Sequence, residues 1–390
     1  MSLHYPVGEL FTKEDFQNRV KKTQKAMQKE NFDVVITYAD YYRNRNVYYL
    51  TNFRPFEASH YHWPGQLGCC LCLVPKEGDP TLFAAHSGFD EARDLVWMDE
   101  KHVKPTSEFK SSMKDFVSKE KPKKLGLTDW PIFPTQIYKD VIEDVFGGVA
   151  VEWTHLLDKI RMVKEDKEVK YMIESGRVND LGTMKVLENL KEGMTEEEAS
   201  LIGRMAMYKE GATNIGACWM QFGPKYSSFM SKRPYTNVRL KKGWLVRLDY
   251  GCKVKDYYSD NGLAVGFGKI SDDAKDILET LHESIEIGWK TVRPGTKTKD
   301  LWEKMNKPFV EKGYKTGEPF GHSVGIDFED ELPCMGKNSE GAYEKNMCVS
   351  IACHINHVEG VGGGKIEETV CIKETGPLLI THCSEMPWYW

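Results

Sequence analysis

No stretch of this 390-residue sequence is apolar for long enough to cross a bilayer, which takes about 20 consecutive apolar residues. Met1 to Phe16 lack the charged, then apolar, then small pattern of a secretory leader, so none is expected. Basic residues are not in excess: 53 Lys and Arg against 58 Asp and Glu leave a net charge of −5. With no basic stripe interleaved with aromatics, a nucleic-acid partner is excluded. Internal repeats and low-complexity segments are also missing. The ten cysteines follow no metal or disulfide spacing, and Cys69, Cys70, Cys72, Cys348 and Cys371 sit inside apolar runs. Buried free thiols in a reducing compartment account for them. The expectation is a cytoplasmic protein without a membrane partner.

What is present suffices for two domains with a large core, since 41% of the residues are hydrophobic. Residues 12–31 carry Phe16, Val20, Thr23 and Met27 on one helical face. Strands are expected at Phe32–Tyr38, Val47–Leu50, Gly68–Pro75, Thr81–Ala85 and Lys124–Thr128, with helices at Phe89–Trp97 and Pro134–Phe146. Strands alternating with helices describe an α/β domain over 1–157. A second domain, 158–390, opens with helices at 166–191 and 196–210 and turns to strands from about Ala217. Helices follow at Ser271–Thr291 and Thr298–Lys312, then strands at 347–355 and 365–373 and an aromatic tail, Pro387 to Trp390. Helices laid on a mostly antiparallel sheet make this half α+β.

The chemistry gathers around Trp244–Gly268. Two strands, Trp244–Tyr250 and Tyr257–Val265, are rich in aromatic and branched residues. A turn centred between Val254 and Lys255 would set Asp249 directly opposite Asp260, and carboxylates so placed must share a proton or a cation. His322 lies between glycines that suggest close backbone approach. On the strand after Gly362-Gly363-Gly364, Ile366, Glu368 and Val370 share one face and Glu367, Thr369 and Cys371 the other, so one glutamate faces inward and needs a cation or a proton. Two Asp, a His and a Glu form a hard, oxygen-rich set suited to Mn, Fe, Co or Zn.

Order and context then resemble a known family. Tyr49-Leu50-Thr51-Asn52-Phe53, the stretch Ile160–Met172, Asp249-Tyr250-Gly251 followed by Tyr257-Tyr258-Ser259-Asp260, the run Gly321–Asp327, and Lys365–Val370 are similar to the pita-bread superfamily of Xaa-Pro dipeptidases, aminopeptidases P, methionine aminopeptidases and creatinases. The resemblance covers nearly the whole chain. It implies a pita-bread catalytic domain and a two-ion site. Asp249, Asp260 and Glu367 would hold one ion, and Asp260, His322, Glu367 and a further Glu the other. Homodimers are common among relatives with this N-terminal domain. His60 and His62 are read as a plain surface loop ahead of two alternatives, a loop that by family analogy reaches a neighbouring subunit's pocket and a His-x-His metal site.

The chain also departs from that pattern. Ala352 stands where the further Glu is expected, residues 229–234 hold no His, and Glu329 replaces a second His. His354 lies two residues from Ala352 on the same strand face and is a candidate ligand or proton-transfer group. Tyr226, Lys232 and Arg233 are candidates for the missing carbonyl-assisting His. The catalytic set is therefore read as His322, Glu367, Asp260, His354 and Lys232, on a dipeptide or small-molecule substrate with a C–N bond to cleave. Three readings stay open: a hydrolase with one or two divalent ions, a metal-free creatinase-like or lyase-type enzyme on a small zwitterion, and a catalytically dead binding module. Trp219, Phe222, Tyr226, Phe229, Tyr235, Trp244, Tyr250, Tyr257 and Tyr258 crowd this region, and such faces attract cationic heads.

Overall fold

Thr12 starts the first helix, Lys13–Glu30, through a reciprocal cap in which its hydroxyl accepts from the Asp15 amide and the Asp15 carboxylate accepts from the Thr12 amide. Phe16, Val20, Thr23 and Met27 form the buried stripe that their spacing predicts. The computed structural model describes residues 5–40, 43–55, 69–85, 89–130, 132–227, 237–314 and 317–390. It divides into two units, Met1–Ile160 and Arg161–Trp390. Among the described residues no helix is long and apolar enough to cross a membrane.

The first unit is an α/β domain. Strands β1 (Val34–Asp40), β2 (Cys69–Pro75), β3 (Thr81–Ala84), β4 (Val103–Pro105), β5 (Lys124–Leu127) and β6 (Ala150–Trp153) form one mixed sheet in the order β4-β3-β2-β1-β5-β6. The strand expected at Val47–Leu50 is instead a helix, Arg45–Thr51. Its branched and aromatic residues favour a strand, but tertiary contacts override that preference. Asn46 donates to the Asp129 carboxylate, the Trp97 indole donates to the Leu50 carbonyl, and Asn52, left-handed at φ 72°, ends the turn.

The second unit is the α+β pita-bread domain. Its strands are β7 (Asn214–Phe222), β8 (Trp244–Val254), β9 (Tyr257–Phe267), β10 (Gly317–Ser323), β11 (Asp330–Met335), β12 (Cys348–Val358), β13 (Gly362–Lys373) and β14 (Gly376–Leu379). They pair in the order β11-β10-β12-β13-β9-β8-β7, with β14 also on β13. Alternation along each strand separates two faces. On one, Leu248, Tyr250 and Leu263 pack under helices Asp166–Asn189 and Glu196–Lys209, while Val349, Ile351, Ile366 and Val370 pack under Asp272–Thr291 and Thr298–Glu311. The other face carries the polar residues. At the C-terminus the tail closes back on β9, where Trp388 accepts from the Gly266 amide and its ring stacks on His282 at 3.4 Å.

Two packing details set testable costs. A Cβ at Gly176, in helix Asp166–Asn189, would overlap the Ile380 carbonyl. Gly→Ala in an open helix gains up to about 1 kcal/mol. Here the backbone clash reverses the sign, and Gly176→Ala should lose about 1–3 kcal/mol in urea unfolding. His282 is 5% exposed, and burial pushes its pKa from 6.5 down to about 3. The stability gained by keeping it neutral is complete above about pH 6.5 and is lost as pH falls toward 3, because the unfolded chain then binds the extra proton. By pH 5 that loss reaches roughly 2 kcal/mol. His282→Phe, which keeps a ring on Trp388, should show a smaller drop between pH 7.5 and 5 than the wild type.

Candidate metal centre and its internal cation

Lys255 and Asp256, both left-handed at φ 47° and 69°, make the two-residue turn between β8 and β9. Consecutive positive φ values select the tight hairpin turn whose twist suits antiparallel strands. This turn lies one residue later than the expected centre, so Asp249 and Asp260 are not directly opposite. Asp249 pairs with Gly262, and Asp260 with Gly251. They remain diagonal neighbours on one face. Across the sheet, Glu367 pairs with Gly262 on one side and Ala352 on the other, and His322 pairs with Ser350. Pairing thus brings Asp249, Asp260, His322 and Glu367 to one face. Gly321 allows the expected close approach: a Cβ there would stand 2.6 Å from the Ser350 carbonyl oxygen.

One ligand atom each from Asp260, His322 and Glu367 lies within 4.8 Å of the others. His322 Nε2 is 3.4 Å from Asp260 Oδ2 and 3.7 Å from Glu367 Oε1. Its Nδ1 lies 3.1 Å from the Ser323 carbonyl, which can only accept, so the proton belongs on Nδ1 and Nε2 faces the carboxylates. Ser350 donates to Glu367 Oε1 at 2.6 Å. Thr369 holds the Asp260 backbone, accepting from its amide at 2.9 Å and donating to its carbonyl at 2.8 Å. Asp260 Oδ1 is buried with no hydrogen-bond partner among the described residues. An orphaned carboxylate oxygen beside a second carboxylate and an imidazole nitrogen fits one divalent ion.

Asp249 belongs to a different arrangement. Lys365 Nζ is 2.7 Å from Asp249 Oδ2 and also ion-pairs with Glu367 Oε2. The lysine is 4% exposed, and Arg247, 3% exposed, lies 4.0 Å from the same Asp249 oxygen. Burial alone would discharge Lys365, but attraction by Asp249, Glu367 and Asp260 outweighs it and raises its pKa. Burial likewise opposes the charge on Glu367, and Lys365 followed by His322 overcomes it, holding the carboxyl below its usual range. Burial and then repulsion by Glu367 push Asp260 up to about 8. His322 is raised well above its ordinary value because its bonds to Asp260 and Glu367 exceed the burial cost.

Residues 170–374 match metallopeptidase family M24, and residues 19–163 match the creatinase/prolidase N-terminal domain. The chain belongs to metallopeptidase family M24. By that membership it is a hydrolase of the metallopeptidase type, in a family that implies divalent metal ions. The sequence is 24% identical over 371 residues to an Xaa-Pro dipeptidase of Pyrococcus horikoshii, covering 93% of this chain and 96% of the relative. It is 27% identical over 251 residues to an uncharacterized peptidase of Bacillus subtilis, covering 63% of this chain and 68% of that one. In fold it is similar to the prolidase from Pyrococcus horikoshii (TM-score 0.80, 22% identity, 94% and 98% of the two chains) and to the X-Pro aminopeptidase from Thermotoga maritima (TM-score 0.76, 19% identity, 95% and 98%).

Within this M24 chain, the three-residue cluster that fits an ion includes Asp260, His322 and Glu367 but not Asp249, which Lys365 engages instead. His354 is also outside it. It pairs with Lys365 across the strands, lies 5.2 Å from the Phe320 ring, and is pushed down to about 3 by burial and then by Arg247 and Lys365. Glu368 points to the helix face, where Thr381 and Ser384 donate to it. Phe222 and Tyr250 are core, and Tyr257 donates to Glu168 at 2.9 Å. Lys232, Arg233, Phe229, Tyr235, His60 and His62 lie outside the described residues, as does the side chain of Tyr226. Sequence reasoning missed Lys365 and Arg247, although a residue two positions from Glu367 on a strand must share its face.

Removing one member of a buried ion pair strands the other. Glu367→Leu should therefore cost about 3–5 kcal/mol in urea unfolding, whereas Ser350→Ala, losing one hydrogen bond, should cost about 1 kcal/mol.

Proposed function

We propose that this M24 member hydrolyses the C–N bond of a small peptide, of the Xaa-Pro dipeptide class, at the face formed by β8, β9, β10, β12 and β13. The observation that carries this reading is the convergence of Asp260, His322 and Glu367, with the Asp260 Oδ1 left unpaired among the described residues. The dipeptide class is supported by the Pyrococcus horikoshii relative named an Xaa-Pro dipeptidase, which aligns over nearly its full length. A homodimer is part of the reading and rests on the family resemblance.

Asp260, His322 and Glu367 would hold one divalent ion, which when bound supplies Lewis-acid polarisation and a water that ionises near neutral pH. The protein's own groups do the rest. Ser350 and Lys365 fix the two oxygens of Glu367, and Thr369 fixes the Asp260 backbone, so both carboxylates are preorganised. Asp260 Oδ1, with no hydrogen-bond partner among the described residues, is the oxygen open to that ion. Phe328 packs against Gly251 beside Asp260, and its ring lies 6.5 Å from His322. Phe320 lies 5.3 Å from Lys365 Nζ. These rings give apolar walls suited to a compact substrate.

A second reading, metal-free action on a small zwitterion, is favoured by one observation: Lys365, Arg247 and His322 face Asp249, Asp260 and Glu367 within the site. Assays of EDTA-treated and Mn²⁺-supplemented protein on Xaa-Pro dipeptides and on zwitterions such as creatine separate the two. Dipeptide turnover that needs Mn²⁺ and falls about 10²- to 10⁴-fold in kcat/KM for Asp260→Ala is expected. Turnover of zwitterions alone, unaffected by EDTA, would replace the first reading with the second.

A further inference from the structure

We propose that the Lys365 ammonium is the permanent occupant of a cation position between Asp249 and Glu367, so that this centre takes one divalent ion rather than two. The inference rests on the hydrolase reading above and concerns how many ions that site holds. Lys365 bridges the two carboxylates, 2.7 Å from Asp249 Oδ2 and ion-paired with Glu367 Oε2. In the pairing across the sheet, only Gly262 stands between Asp249 and Glu367. A Cβ at Gly262 would lie 3.2 Å from Lys365 Cδ and 3.3 Å from Cε. The lysine stem therefore runs over the one place in the row that has no side chain, and its head ends where two anionic oxygens converge.

Two further features agree with a fixed cation there. Arg247 is buried beside Asp249, so a divalent ion between Asp249 and Glu367 would meet two cations already in place. Like charges held close in a poorly solvated site repel strongly. Ala352, directly across from Glu367, offers no carboxylate to enlarge the ligand set. The remaining ligands, Asp260, His322 and Glu367, stay close enough for a single ion. Lys365 is thus a positioning residue: it bridges the Asp249 and Glu367 carboxylates and holds them in place without a second metal.

The test is Mn²⁺ binding to the EDTA-stripped full chain, counted by equilibrium dialysis with elemental analysis and examined by electron paramagnetic resonance. Wild type should saturate at one Mn²⁺ per chain with the signal of an isolated ion. Lys365→Met, shown folded by circular dichroism, should take up a second Mn²⁺ and show exchange coupling, and Lys365→Arg should stay at one. Asp249→Asn provides a check that does not depend on the folding of Lys365→Met. It should keep its single Mn²⁺ within about threefold in affinity, because Asp249 serves the lysine rather than the ion. Two ions on the wild type, or none, overturns the proposal, as does loss of the ion in Asp249→Asn or a folded Lys365→Met that still binds one. A chain that binds one Mn²⁺ yet hydrolyses no dipeptide would leave this inference standing and refute the functional reading instead.

Discussion

Three buried carboxylates on one sheet face are the constraint that the rest of the catalytic unit answers. Asp249, Asp260 and Glu367 are each no more than 9% exposed. Buried anions at such spacing require counter-charge or protons. Lys365 and Arg247 provide it on the Asp249 side, and His322 on the Asp260 side. The compensation depends on small residues as much as on charged ones. Gly262 lets the lysine cross between strands, and Gly251 leaves room for the Phe328 ring beside Asp260.

The scaffold holds that arrangement by dividing labour between the sheet faces. Helices Asp166–Asn189, Glu196–Lys209, Asp272–Thr291 and Thr298–Glu311 bury the apolar residues of one face and leave the alternate positions to the site. Hydrogen bonds then fix individual atoms: Ser350 on Glu367, the Ser323 carbonyl on His322, Thr369 on the Asp260 backbone. Glu368, one residue from Glu367, shows the consequence of strand alternation. Facing the helices, it is satisfied by Thr381 and Ser384 and takes no part in the cluster.

The match to family M24 spans residues 170–374, and the similarity in fold to the Pyrococcus horikoshii prolidase covers 94% of the chain. A lysine at 365 and an alanine at 352 leave the strand pairing intact. Register depends on backbone hydrogen bonds and on the apolar face, so polar substitutions on the opposite face change chemistry at little cost to architecture.

Much of this was legible in the linear sequence. Periodicity at Phe16, Val20, Thr23 and Met27 marks a helix, alternation at Ile366–Cys371 separates Glu367 from Glu368, and the glycines around His322 announce close backbone approach. These signals are local, set by the 3.6- and 2-residue periods of the backbone. The conformation of Arg45–Thr51 was not legible, because branched residues took a helix to satisfy partners as distant as Asp129. Neither was the hairpin register, which depends on two left-handed residues, Lys255 and Asp256, that carry no glycine signature. Lys365 was visible as a residue sharing the face of Glu367, but its partner was not. That its ammonium reaches Asp249 was decided by strand order, since β13 lies beside β9 and only tertiary pairing brings residues 116 positions apart within hydrogen-bond distance.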